Sequence, residues 1–519
     1  MLAGSLAPNY SEDDLAWDQT KEVKITLSDS GSTGGPGVEV DGSVVTITAP
    51  GVYRVSGTLS DGQLAVTGTG LVRVILDRVS ITNNSSSALV AENVDKLVII
   101  TSENTTNTLT DALTYSYPNA DTTEPDAALF SSVDTVLGGD GDLVVNGRST
   151  DAITSKDGLV IASGTIDVTA VDDGIKGRDY LVISGGIVTV TSGGQGLKST
   201  KDFDDAAGYV LVSGGTINVT TTGTSSDCVN AVTNALISEG TLTLSCTDDA
   251  IHADKLLMME SGDVTVTSSY EGLESAYVII AGGKLDVTSS DDGINATDGT
   301  GAGNPGGGGP GGPGGTGGGA GGGFAGGGGR QPGGGTPDAA PSGGFGGGTG
   351  GGTGTSGSGG AGTGGRPGGG GFGGEAVENA SILIRGGEIT VNAGGDGIDS
   401  NGTIVISGGV SVLSGANRAG DGALDSNGSM QVSGGTVAAI GGASRMLRTP
   451  DETSPQTWFS QEATINAGDT IVVTTHDGTF TFTAAKQAQN LVFTSPDLAS
   501  GATLSVAGGA AITPECHGG

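Results

Sequence analysis

The residues that could do chemistry in this 519-residue chain are carboxylates, and they recur in columns. Asp151, Asp173, Gln195, Asp227, Asp249, Glu271, Asp292 and Asp396 each stand two places before an apolar residue (Ile153, Ile175, Leu197, Val229, Ile251, Leu273, Ile294, Ile398). Between them sits a small residue, and Asp421 joins the column offset by one place. The third position after the lead residue varies: Thr154, Lys176, Lys198, Asn230, His252, Glu274, Asn295, Asp399. If the units stack as strands, equivalent carboxylates lie about 4.8 Å apart. Such neighbours repel by about 1 kcal/mol per pair in bulk water and by more at lower effective dielectric. Lys156, Lys176 and Lys198 answer that repulsion in the early units, whereas from Asp227 onward lysine leaves the columns and acids accumulate. Hard oxygen ligands gathered without partner bases suit Ca²⁺, which takes six to eight of them. The calcium candidates are Asp172, Asp173, Asp248, Asp249, Asp254, Glu271, Glu274, Asp291, Asp292, Asp298, Asp396, Asp399, Asp421 and Asp425. Asp202, Asp204 and Asp205 in "TKDFDDAAG" form a separate loop set. The plainer alternative is that the acids are solvated corner residues, since Asp-Gly is ordinary turn chemistry.

The elements that must position these acids are short strands. An (S/G)G element ending at Gly164, Gly186, Gly215, Gly240, Gly262, Gly283, Gly387, Gly409 and Gly435 recurs about every 22 residues, with one long interval. Alternating runs such as "GIVTVTS" and "GDVTVTS" follow it, with the period of two that a half-buried strand requires. No helical period intervenes, and a unit this short leaves no room for a crossover helix. The expected fold is therefore all-β, a right-handed parallel β-helix with turns of about 22 residues. Residues 1–40 are an N-terminal segment, 41–298 the N-terminal cap and first turns, and 375–450 further turns. Residues 451–519 are expected to form a C-terminal β cap or small β domain that covers the sheet end. The long interval contains residues 299–374, more than half glycine, which are expected to be a disordered, flexible insertion within the repeat.

Composition excludes some functions. A formal charge of -36, from 57 acidic against 21 basic side chains, repels nucleic acid and anionic membranes. No apolar stretch is long enough to form a membrane-spanning segment. Met1 to Tyr10 lacks a basic start and a signal-length apolar core, so any export signal is expected to be removed or to lie outside this sequence. The three cysteines, Cys228, Cys246 and Cys516, have neither metal-type spacing nor a disulfide-rich pattern.

In order along the chain, "GVYRVSGTLSDGQLAV", "LDRVSITN", "NTLTDA", the "DDGI" and "SGGTI" units, the Gly-rich insertion and "NLVFTSPDLASGATLSV" give a specific combination. Over most of residues 40–510 the chain resembles the bacterial carbohydrate-binding family of calcium-binding right-handed parallel β-helices. That resemblance implies a secreted or surface-attached protein, calcium along the helix, and attachment to plant-type polysaccharide, with acidic pectin-like chains such as polygalacturonate the favoured ligand. Gln195 and Cys228 depart from the family pattern, so the resemblance implies no metal at those units.

A polyanionic protein and a polyuronate repel, so direct binding needs Ca²⁺ bridging both sets of carboxylates, or basic residues such as Lys198, Lys201 and Arg178. Tyr270 and Tyr277 offer a small aromatic surface to a sugar. The reading is a non-catalytic, monomeric, calcium-dependent binder of acidic polysaccharide. The rivals are a β-helical polysaccharide lyase or hydrolase and a surface adhesin or spacer. Against catalysis, the acids repeat over nearly the whole chain instead of gathering at one place.

Overall fold

A computed structural model describes residues 6–297 and 376–519, apart from residues 7, 120, 203, 205, 419, 420 and 443–446. Asp298, Asp205 and the Gly-rich stretch 299–374 therefore lie outside the described residues. The described structure is β throughout, with short 3-10 turns at Glu12–Leu15 and Gln19–Lys21.

Each repeat supplies three strand segments, and each segment pairs in parallel with its counterpart one unit on. The apolar residue of the acidic motif runs through one ladder as Ile153, Ile175, Leu197, Val229, Ile251, Leu273, Ile294 and Ile398. A second ladder stacks Leu159, Leu181, Val210, Ala235, Leu257, Val278, Ile382 and Ile404. The third stacks Val145, Val168, Val190, Val219, Leu244, Val266, Val287 and Val391. All three files are buried and meet in one continuous core. Period-two alternation sends each file inward and its neighbours outward, so the acidic corners are held in register by a dry column.

Thirty-four strands join in a single sheet. That sheet closes as a ten-strand parallel β-barrel with extra strands, which corrects the expected right-handed β-helical solenoid. The alternation and the spacing specify which strands are neighbours and in what register. They carry no term for how the sheet closes or with what hand, and the expectation failed at that level.

Strands on either side of the Gly-rich stretch pair directly, Tyr277 with Ser381 and Ile294 with Ile398, so the repeat continues across it. Upstream of residue 40, Glu22–Leu27 already pairs in parallel with Gly51–Leu59. At the other end, Ala488–Thr494 pairs antiparallel with both Met430–Gly441 and Trp458–Ile465. A three-stranded antiparallel sheet, Thr470–Thr474, Thr479–Thr483 and Thr503–Val506, follows. Phe459, Phe493, Ile471 and Leu504 give this end its own core.

The recurring glycines have a backbone reason. All nine adopt φ between +81° and +104°, a region L side chains avoid. A Cβ on Gly186 would also lie 2.6 Å from the Gly164 carbonyl oxygen of the preceding unit. Gly186→Ala is expected to cost about 1–3 kcal/mol through that strain, read as a lowered melting temperature.

Cys228 and Cys246 form a disulfide with Cα atoms 5.5 Å apart, a pairing that the cysteine count did not suggest. One repeat folds back on itself and brings the corner after Asp227 beside the end of Asn234–Ser245.

Candidate metal and carbohydrate site

The lead column is first a hydrogen-bonding device. Asp151 Oδ1 accepts the Asp173 N–H (3.1 Å), Asp173 Oδ1 the Gln195 N–H (3.0 Å), and Asp227 Oδ1 the Asp249 N–H (3.0 Å). Farther on, Asp292 Oδ1 accepts the Asp396 N–H (2.7 Å), and Asp396 accepts the Gly422 N–H. Gln195 Oε1 accepts the Asp227 N–H in the same way. The corner therefore requires an acceptor, which an amide supplies without charge. Gln195→Leu is expected to cost about 1–3 kcal/mol by stranding that N–H, while Gln195→Glu keeps the bond; chemical denaturation distinguishes the two.

The third column answers the second carboxylate oxygen of the lead column. Thr154 donates to Asp151 Oδ2 (2.9 Å), and Lys176 ion-pairs with Asp151 and lies 3.7 Å from Asp173. Lys198 lies 2.9 Å from Asp173 Oδ2, and Asn230 donates to Asp227 Oδ2 over 2.7 Å. His252 Nδ1 lies between Asp249 Oδ2 (3.3 Å) and Glu274 Oε2 (2.8 Å), and Asn295 donates to Glu271 Oε2 (2.9 Å). Burial opposes a charged imidazole, yet its bonds to Asp249, Asp254 and Glu274 hold the His252 pKa well above the ordinary value.

At Glu274 and again at Asp399 a carboxylate stands in the donor's place; His252 answers Glu274, whereas no base among the described residues pairs with Asp399. Asp292, Asp396 and Asp399 each bring an oxygen within 4.8 Å of the other two, and none pairs with a base among the described residues. Burial, then the charge of Asp399, pushes Asp292 up to about 8. Burial and Asp292 push Asp396 up to about 9, and burial and Asp425 push Asp399 up to about 7. Beside them, Asn295 Oδ1 is buried without a hydrogen-bond partner among the described residues. Asn295 commits its amide nitrogen to Glu271, follows Asp292 by three residues and stands in register with Asp399. Three carboxylates and an orphaned amide oxygen form a hard, all-oxygen donor set of the kind Ca²⁺ takes.

The rim carries different chemistry. Arg418, 61% exposed, ion-pairs with Asp421 and lies 3.8 Å from Asp291 Oδ1. Tyr270, an exposed aromatic, bonds to Asp291 through its hydroxyl, and that bond holds its pKa above the ordinary value. Arg418 was not among the candidates from the sequence. Its signal was the longer interval between Gly409 and Gly435, which adds the loop carrying it.

The other sequence candidates are spread along the chain. Asp172 is exposed beside buried Asp151 and Asp173, which Lys176 and Lys198 already serve. Asp248 and Asp249 cluster with Asp227, and Asp254 and Glu274 surround His252. Glu271 is answered by Asn295, and Asp425 is a half-buried neighbour of Asp399. Lys201 and Arg178 both pair with Asp179 and Lys198 pairs with Asp173, so these bases are committed within the protein. Tyr277 stands on Leu273–Ile280, the strand that follows Tyr270, with 39% of its surface exposed.

The sequence pattern of the carbohydrate-binding domain-containing protein family matches residues 41–304, about half of the chain. The chain belongs to that family. Among its relatives, a carbohydrate-binding domain-containing protein from Acetivibrio thermocellus is 35% identical over 136 residues, 26% of this chain and 48% of the relative. The chain thus spans about half the length of the curated relative it matches. A solved structure, the polysaccharide lyase-like protein from C. thermocellum as a gadolinium derivative, aligns with TM-score 0.44 and 29% identity. That alignment covers 47% of this chain and 98% of the other. The matched span in this carbohydrate-binding family member includes the lead residues Asp151 to Asp292, whereas Asp396 and Asp399 follow it.

Proposed function

We propose that this carbohydrate-binding family member is a non-catalytic, calcium-dependent binder of acidic polysaccharide, with polygalacturonate as the representative ligand. The observation that carries this reading is the set Asp292, Asp396 and Asp399, three clustered carboxylates that no base among the described residues answers. Asp292 and Asp396 each commit one oxygen to a backbone N–H, so with Asn295 the set offers fewer free oxygens than the six to eight that Ca²⁺ takes, which leaves positions for carboxylates of a bound uronate chain. Arg418 and Tyr270 at the rim supply the two contacts such a chain uses, a guanidinium for a carboxylate and an aromatic face for a sugar ring. The Cys228–Cys246 disulfide supports a secreted or surface location, because disulfides persist in oxidising compartments. We take the working unit to be a monomer.

Affinity electrophoresis through gels containing polygalacturonate tests this. The wild type should be retarded with calcium and run free with chelator, and Arg418→Ala should weaken retardation by roughly 10-fold, as expected for losing one charge-assisted contact. Equal retardation of wild type and Asp396→Asn would count against the assigned site. A carboxyl pushed up to about 9 beside other acids is also what a general acid needs, which keeps a lyase or hydrolase as the second reading. Release of shorter products from the polymer would favour that second reading.

A further inference from the structure

We infer that the chain holds a second metal site of a different class: a divalent transition-metal ion bound by His252 Nδ1 with the carboxylates of Asp249 and Glu274. The three ligand atoms lie within 4.8 Å of one another. His252 Nδ1 faces Glu274 Oε2 at 2.8 Å and Asp249 Oδ2 at 3.3 Å, and the two carboxyl groups are within hydrogen-bonding reach of each other. One ring nitrogen carries at most one proton, so a proton there cannot serve both oxygens equally, whereas a metal ion in its place bonds to all three.

The other face of the ring points to the same assignment. Nε2 lies 3.2 Å from Asp254 Oδ1. With its proton on Nε2 donated to Asp254, the imidazole presents the Nδ1 lone pair to the Asp249–Glu274 side. This is how a carboxylate orients a metal-binding histidine, and Asp254 is therefore a positioning residue. One imidazole and two carboxylates suit Mn²⁺, Fe²⁺, Co²⁺ or Zn²⁺, unlike the all-oxygen set at Asp292, Asp396 and Asp399.

The stacking register supplies the comparison. Lys176 and Lys198 occupy the same file as His252 and answer carboxylates with a simple ammonium. Charge compensation alone is thus met by lysine in this fold, while an imidazole adds a metal-binding nitrogen.

The test uses the metal-free full chain with excess calcium to occupy the oxygen site, titrated with Co²⁺ and followed by visible absorbance and calorimetry. The wild type should bind one equivalent with the spectrum of a nitrogen- and oxygen-ligated Co²⁺. His252→Lys keeps the positive charge of its file neighbours and should fold and respond to calcium as the wild type does, but lose the Co²⁺ spectrum. Asp254→Asn should weaken Co²⁺ by about 10–100-fold. Asp396→Asn should leave it unchanged. Co²⁺ binding that survives His252→Lys, or a wild type with no spectral change at saturating Co²⁺, would overturn the assignment.

Discussion

In metal-free protein at pH 8, Asp396→Asn should raise the melting temperature, and it should remove the further rise that calcium gives the wild type. The substitution keeps the Oδ1 acceptor that the Gly422 N–H requires, as Gln195 does naturally in the same column, and removes a carboxyl that at pH 8 must take up a proton on folding. The pH dependence follows from the same groups. Asp292, Asp396 and Asp399 have folded pKa values raised to about 8, 9 and 7, above those of an unfolded chain. Folded protein therefore holds more protons than unfolded protein. The stabilisation is fully present below the unfolded pKa of about 4 and is lost as pH rises through the folded values, by about 1.4 kcal/mol per pH unit for each group inside its window. Melting temperature without metal should thus decline from pH 5 to pH 9, and the calcium increment should grow over the same range. Differential scanning calorimetry with calcium and with chelator measures both. A variant less stable than the wild type at pH 8 without metal would mean that the charge at Asp396 is structural.

The second large effect is at the opposite end of the file. Lys176→Met should destabilise by about 3–5 kcal/mol, the usual result of removing one partner from a buried ion pair. Lys176 and Asp151 side chains are only 17% and 3% exposed. Burial pushes Asp151 up to about 6 even with Lys176 beside it, and the lysine in turn is held above its ordinary value by Asp151 and Asp173 against the effect of burial. Adding Asp151→Asn should recover much of the loss, because it removes the stranded charge and retains an acceptor. Equilibrium denaturation of the single and double variants gives the coupling directly. A double variant no more stable than Lys176→Met would place the lysine's contribution in packing.

How far the sequence could be read depended on what its repeat encodes. Alternation placed the ladder residues, and the columns led by Asp151 and ended by Asp399 coincide with the observed register. Closure of the sheet was misread, because inward and outward alternation is the same for any closed parallel sheet whose units stack. The acids were read by charge alone, yet two distinct tasks share the lead acids. One oxygen holds the next N–H, and only the other is free for charge chemistry. That division appears in hydrogen-bond geometry and has no signature in residue type. His252 illustrates the same limit: its position was legible as a column member, but the convergence of Asp249, Asp254 and Glu274 on its ring needed the strands to be stacked. The Cys228–Cys246 bridge was missed because a separation of 18 residues says nothing until one repeat is known to return on itself.

The most direct measurement is isothermal titration of oligogalacturonate into calcium-loaded protein at fixed ionic strength, repeated after chelation and with Asp396→Asn. Saturable binding with calcium that disappears both on chelation and in the variant is the predicted result. Binding of the same strength in all three conditions would contradict a calcium bridge at Asp292, Asp396 and Asp399.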